Sequence, residues 1–291
     1  MLIRAGYRIT LECVAPTAVN ALLNVHPDRM PDLRTPDIVS VTPPTPARKF
    51  RDAFGNDMTR VLLPAGETTF SNEFLIFDTG EPDEVAPHAR QAAIDEVPHD
   101  VLQFLLPSRY CDSDVLADLA WANFHAVEGW ARVQAICDFA HETIRFDYQQ
   151  ARPTRCASDS VREKVGVCRD FAHLAVTLCR AMNIPARYCT GYLGDIGIPP
   201  VDYPMDFSAW FEAYLGGRWY TFDARHNTPR IGRIVMARGR DAADVSITHS
   251  FGGSRLTEFT VMTDEIQEDS HVVPLPPRAP AADVPRYAAA R

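Results

Sequence analysis

The stretch from Cys168 to Met182 constrains the fold more than any other. Phe171, Ala172, Leu174, Ala175, Val176, Leu178, Cys179, Ala181 and Met182 leave almost no polar stripe. A helix of that kind is apolar nearly all round and has to be enclosed by the rest of the protein. Gly166 precedes it, and Asn183-Ile184-Pro185 ends it, because proline cannot continue a helix.

Strand-like runs follow at Ala186–Tyr192, Phe207–Leu215 and Arg218–Asp223. Only Gly216-Gly217 separates the last two, which predicts a two-residue hairpin. That turn fixes the register: Leu215 opposite Arg218, Tyr214 opposite Trp219, Glu212 opposite Thr221 and Trp210 opposite Asp223. With a side-chain period of two, Ser208, Trp210, Glu212 and Tyr214 share a face with Trp219, Thr221 and Asp223. Ser208 then lies diagonally across from Asp223 at a Cβ separation of about 7 Å, which a long side chain spans and serine does not. The fold class predicted is α+β, with a helical layer carrying the buried helix against an antiparallel sheet.

Upstream, residues 1–106 are β-rich. Runs such as Tyr7–Val14, Thr59–Leu63 and Glu73–Phe77 alternate with Pro/Gly/Asp clusters, the mark of a sandwich-like or barrel-like module. The character changes near Pro107. Ser113–Val127 and Trp130–Phe146 read as helices, the second with Val133, Ile136, Cys137, Ala140 and Ile144 on one face. The sequence thus divides into a β-rich domain at 1–106, a core domain at 107–267 and a Pro/Ala-rich tail at 268–291.

A net charge of −9 does not suit nucleic-acid binding, which relies on a basic patch. No run reaches the roughly 18 apolar residues of a membrane span, and the N-terminus shows no continuous apolar signal segment. Seven scattered cysteines suit reduced thiols in a cytoplasm better than a disulfide framework.

The chemistry centres on Cys168. At the start of a buried helix, unpaired N–H groups and the helix dipole favour a thiolate and can hold an oxyanion. An isolated cysteine is otherwise a buried structural residue, the reading given to Cys137, Cys156, Cys179 and Cys189. Cys137 and His141 lie four apart on a helix, but without a second ligand pair they define no metal site. Neither a metal nor a cofactor is expected.

The two segments together resemble the transglutaminase-like (papain-superfamily) core. GVCRDFAHLAVTLCRAMNIPARYCTGY, from Gly166 to Tyr192, is similar to its nucleophile segment. FSAWFEAYLGGRWYTFDAR, from Phe207 to Arg225, is similar to its hairpin, which normally begins His-Ala-Trp and ends Trp-x-x-x-Asp. The matched region runs from about Val133 to Asn227, and the β-rich N-terminal part resembles a module of bacterial members. The resemblance implies Cys168 as nucleophile and Asp223 as orienting acid, with Trp210 as the tryptophan of His-Ala-Trp. It implies acyl transfer, or hydrolysis of an amide or peptide, through a thioester on Cys168. The partner implied is a peptide or protein substrate. Bacterial members of this layout are commonly designated cysteine proteases, which favours hydrolysis over cross-linking.

Ser208 occupies the place of the family histidine. A serine hydroxyl is no base near neutral pH and cannot pair with a thiolate. Two readings follow. In one, another histidine serves: His226 if the chain bends at Ala224-Arg225, or His249, with His173 assigned to the core. In the other, the module is catalytically inactive and binds peptide or protein. Ser208 as a nucleophile is disfavoured by its place on a strand instead of a strand-to-helix elbow. The Gly194–Asp206 loop leads into the hairpin, so Asp206 and Trp210 are expected to line a substrate cleft.

Overall fold

A computed structural model describes residues 1–199, 201 and 205–266. The N-terminal half supplies β1 (Leu2–Cys13), β2 (Thr17–Ala21), β3 (Ser40–Thr42), β4 (Ala47–Arg51), β5 (Asp57–Leu63) and β6 (Gly66–Phe77). A long connection then reaches α1 (Ala117–Phe124), α2 (Gly129–Thr143), β7 (Arg145–Phe146), α3 (Ala157–Glu163), β8 (Val165–Gly166) and α4 (Cys168–Ala181). The chain continues with β9 (Ala186–Tyr192), β10 (Ser208–Leu215), β11 (Arg218–Phe222), β12 (Ile234–Gly239), β13 (Thr248–Ser250) and β14 (Ser254–Ile266). The α+β class expected from the sequence is the one observed. The tail at 268–291 lies outside the described residues, as do 200 and 202–204 of the Gly194–Asp206 loop.

Helix α4 is enclosed as its composition requires. Phe171, Leu174, Ala175, Leu178 and Cys179 share one core with Val133, Ile136 and Ala140 of α2 and with Phe211, Ala213 and Leu215 of β10. Each fully buried leucine or isoleucine there contributes about 1.5–3 kcal/mol. The helix ends where Asn183 takes a left-handed φ of 61°. The N–H groups of Met182 and Ile184 then close on the last carbonyls, at 3.1 Å to Leu178 and 2.9 Å to Cys179.

Its start explains the Gly-x-Cys spacing. Asp170, in the first turn, reaches back so that its Oδ2 accepts the Val167 N–H at 2.9 Å. A Cβ on Gly166 would lie 2.7 Å from the Asp170 side chain, so only glycine lets the cap close.

The sheet beneath α4 has the order β11-β10-β9-β12. The hairpin register read from Gly216-Gly217 is the one found, from Leu215↔Arg218 to Glu212↔Thr221. Both glycines carry positive φ, 56° and 90°, as this two-residue turn demands.

Two further sheets, β14-β1-β6-β3 and β13-β2-β5-β4, form the β-rich part. Their core residues Ile3, Tyr7, Ile9, Phe70 and Phe74 also pack on Tyr192, Phe207, Ile234 and Met236 of the downstream half. The last two strands pair across the proposed 106/107 boundary: β14 runs beside β1 from Leu2↔Ile266 to Cys13↔Ser254, and β13 lies beside β2. Residues 248–266, grouped by sequence proximity with the core at 107–267, thus complete the N-terminal sheets. A strand's partner is set by edge availability, which local composition does not encode.

A polar cluster also joins the halves. Glu212 of β10 is buried, and burial would raise its carboxyl pKa, but Arg187 and Arg238 hold it below its ordinary value. Arg238 also donates to Asp28 and to His26 Nδ1. Buried His26 accepts the Asp28 N–H on the same nitrogen at 3.2 Å. Burial and then the Arg238 charge lower its pKa to about 4. His26 is therefore neutral in the folded chain, whereas the unfolded chain protonates it near 6.5. Stability from this site is full above about pH 6.5, falls as pH drops toward about 4, and levels off below. Replacing His26 by Asn, which keeps an acceptor, should reduce the loss of denaturation midpoint between pH 7 and pH 4.5. Parallel pH profiles for the variant and wild type would show that His26 is not a source of the acid sensitivity.

Candidate active site

Cys168 opens α4, where the first N–H groups have no intrahelical acceptor. The residue is partly exposed, but its sulfur is enclosed and takes a hydrogen bond from the Ala209 N–H at the start of β10. Burial pushes the thiol up to about 11. Arg225 and the Ala209 N–H work against that shift, while Asp206 and Asp170 add to it. Desolvation thus outweighs the helix start, which favours the thiolate.

Asp223 follows β11 directly and is buried. A turn closes there, with the Asn227 N–H on the Asp223 carbonyl at 2.8 Å. This is the bend that brings His226 back. His226 Nδ1 lies 2.8 Å from Asp223 Oδ2, while the N–H groups of Arg225 and His226 each reach Asp223 Oδ1 at 3.0 Å. The other side is closed by Arg233 Nη2 at 2.8 Å. Burial alone would raise this carboxyl. The Arg233 charge and the His226 contacts prevail and hold it well below the usual carboxylate range. Asp223 is thus ionised and accepts, so His226 Nδ1 donates and its Nε2 is left as the basic atom.

The turn is clamped to α2. Asn227, with a left-handed φ of 52°, donates to Asp138 at 2.8 Å and accepts from Gln134 at 2.9 Å. His141 Nδ1 meets the Arg225 carbonyl at 2.9 Å, while Cys137 of the same helix stays in the core. The two residues of that four-residue spacing therefore do not converge on one site.

Ser208 lines a cavity of about 50 Å³ together with His226, Arg225, Asp206, Arg230, Asp195 and Tyr148. Its hydroxyl is buried and has no hydrogen-bond partner among the described residues. Ser208 is the residue before Ala209, whose N–H meets the Cys168 sulfur, and two lining residues, Arg225 and Asp206, act electrostatically on that sulfur. Asp206 lines the cavity. Trp210 does not: it packs with Cys189 and Val235 beneath the Arg233 guanidinium, 5.0 Å from the ring centroid. Arg233, from the segment before β12, lies over the ring on this face of the hairpin.

His173 is in the core, stacked on Tyr110 and accepting the Ala242 N–H at 3.1 Å. His249 lies on β13 opposite Asn20, on the β-rich sheets. Arg225, Arg230 and Arg233 escaped sequence reasoning. A signal was present: three arginines within ten residues of Asp223, in a segment otherwise apolar or turn-like.

The transglutaminase-like superfamily core matches residues 121–224. The crystal structure of a candidate cysteine protease from Cytophaga hutchinsonii is 31% identical, covers 93% of this chain and 92% of its own, and superposes with a TM-score of 0.78. The uncharacterised protein ML0607 of Mycobacterium leprae is 31% identical over 110 residues, 36% of this chain and 39% of its own. Mb2599c of Mycobacterium bovis, also uncharacterised, is 32% identical over 126 residues, 39% and 40% of the two chains. The match thus spans about two fifths of the length of these curated relatives. The chain belongs to the transglutaminase-like superfamily and carries its cysteine-enzyme core.

With the Cys168 pKa near 11, only about one molecule in 10⁴ carries the thiolate at pH 7. Alkylation of Cys168 by iodoacetamide, followed by peptide mass spectrometry, should rise about tenfold per pH unit from 7 to 10 with no plateau. At pH 7 the partly exposed Cys156 should react first. A plateau for Cys168 below pH 8 would mean an activated thiolate and overturn this description.

Proposed function

We propose that the chain is a cysteine-dependent hydrolase of amide or peptide bonds in which the Asp223–His226 pair supplies the base that position 208 lacks. The observation that carries this is the 2.8 Å contact between His226 Nδ1 and Asp223 Oδ2 at the wall of the cavity beside Cys168. Asp223 fixes the imidazole tautomer, and Arg233 keeps the carboxylate ionised. As the Cys168 sulfur bonds to the substrate carbonyl carbon, the thiol proton passes to His226 Nε2. The Ala209 N–H is then released from the sulfur. The N–H groups of Cys168 and Arg169, at the start of α4, favour the negative oxygen that develops. As the carbon–nitrogen bond breaks, His226 returns that proton to the departing amine and a thioester remains. Water then attacks the thioester and gives one proton to His226. The carbon–sulfur bond breaks, the acid leaves, and the proton returns to sulfur.

A resting thiol near pKa 11 suits this order of events, because the proton has to move during attack and not before it. Water as acceptor is supported by the Cytophaga relative's description as a candidate cysteine protease. The same relation supports a peptide or protein substrate. All seven cysteines are free, which supports a reducing, cytoplasmic setting. Among the described residues no helix is long and apolar enough to cross a membrane.

Ser208 and the high thiol pKa favour a second reading, an inactive module that binds peptide or protein. Turnover of an activated ester and of a mixed peptide pool separates the two. Wild type should hydrolyse them, Cys168→Ala should abolish this, and His226→Ala should lower it by about 10²–10⁴, the usual worth of a positioned base. Undiminished activity in His226→Ala would remove the proposed base. An inert wild type that gains activity with Ser208→His would establish the binding-module reading.

A further inference from the structure

Two buried polar groups in the cavity wall have no hydrogen-bond partner among the described residues: Ser208 Oγ and Arg230 Nε. Both residues are more than nine-tenths buried, with relative exposures of 6% and 5%. Such orphans are rare, because an unmet buried donor costs more than a hydrogen bond returns. Both can donate, and one belongs to a cation.

Arg230 is rigidly held. Its Nη2 donates to the Gly194 carbonyl at 2.9 Å. Its backbone N–H reaches Asp83 Oδ2 at 2.9 Å, and its carbonyl accepts the Asp83 N–H at 2.9 Å. Of the two carboxylates in the wall, Asp195 has its Oδ2 occupied by the Val201 N–H at 2.9 Å, and Asp206 is the other.

From the two orphaned donors we infer that this cavity is a carboxylate subsite, and that the preferred substrate carries a free carboxylate within a few bonds of the scissile carbonyl. One oxygen would meet Arg230 Nε–H and the other Ser208 Oγ–H. A singly charged group with two acceptor oxygens matches the two donors, one of them on a guanidinium. A doubly charged phosphate would meet stronger repulsion from Asp195 and Asp206. The volume, about 50 Å³, suits a group of a few heavy atoms. The position follows from the chain: Ser208 precedes Ala209, whose N–H touches the nucleophilic sulfur. The inference rests on the hydrolase reading only in placing this carboxylate next to a reacting carbonyl. The carboxylate has two sources, a terminal α-carboxylate or an acidic side chain.

Binding is measured on the full chain with Cys168→Ala, so that turnover plays no part. The probes are acetylated trialanine as the free acid, the same peptide as its terminal amide, and amidated acetyl-Ala-Glu-Ala and acetyl-Ala-Gln-Ala. At least about a tenfold preference for acid over amide, or for Glu over Gln, is expected from a charge-assisted contact. The first preference identifies a terminal carboxylate and the second an acidic side chain. Adding Ser208→Ala, which cannot form its bond, should shrink the preference several-fold. Arg230→Lys, which keeps the charge but loses the Nε–H, should do the same, with folding checked by circular dichroism. Equal binding of acid and amide and of Glu and Gln peptides, or no binding at millimolar peptide, would overturn the subsite and leave the cavity as a place for ordered water. A preference in this binding assay, with wild type inert on every substrate, would retain the subsite and remove the hydrolase. Turnover without any preference would do the reverse.

Discussion

The site depends first on how the start of α4 is held. Asp170 is fully buried, and Arg155, only 3% exposed, meets it at 3.1 Å. A buried carboxylate is tolerated only when paired and hydrogen-bonded. Here Arg155 provides the charge, and the Val167 N–H provides a second contact at 2.9 Å. Because Val167 caps the helix, the same carboxylate fixes where the first turn begins, and with it the direction of the Cys168 side chain. Gly166 is part of this interaction through the space it leaves for Asp170. Loss of Arg155 would leave Asp170 with the longer Arg169 ion pair alone, at 3.6 Å, inside the protein. Breaking a buried ion pair typically costs up to about 3–5 kcal/mol, and here the loss would fall on the helix start that positions Cys168.

A second buried ion pair extends the dependence to the N-terminal half. Arg233 bridges Asp223, at 2.8 Å, and Asp83, also at 2.8 Å. Asp83 lies in the long connection that follows β6, and it also binds the backbone of Arg230. The orienting carboxylate and the cavity arginine thus share one acidic residue from outside the superfamily core. The β-rich half, completed by β13 and β14, is therefore a structural partner of the active-site turn as well as a neighbour. Tyr192 and Phe207 in the shared hydrophobic core reinforce the contact beside the same cavity.

Legibility in the sequence followed the range of the interactions. Helix α4 and its stop were readable because burial on all sides leaves a local apolar signature and because Asn183 and Pro185 act within a few residues. The hairpin register was readable because Gly216-Gly217 admits one kind of turn, and side-chain parity then follows over the length of the strands. The pairing of β14 with β1 joins residues more than 240 positions apart, and nothing in either strand names the other. Trp210 illustrates the limit of parity. Its face was assigned correctly, but whether that face meets solvent depends on Arg233 folding over it. His226 lies between these cases: it can serve only if the chain bends at Ala224-Arg225, which the sequence leaves open, and the turn clamped by Asn227, Asp138 and Gln134 bends there.

The replacement at position 208 alters the electrostatics of the site more than its shape. An imidazolium there would lower the Cys168 pKa by direct charge, as cysteine–histidine pairs do. Serine brings no charge, so burial dominates and the sulfur keeps its proton. The cations that remain, Arg225 near the sulfur and Arg230 in the wall, cannot accept that proton, since a guanidinium stays charged at any pH the protein survives. They can hold an anion, whether a developing oxyanion or a carboxylate of the substrate. In the proposed mechanism the division of labour is chemical, since His226 lines the same cavity as Arg225 and Arg230. Cations and backbone N–H groups receive the negative charge. The base sits on the Asp223 turn, where the Asp223 carboxylate fixes its tautomer and stabilises the imidazolium that forms.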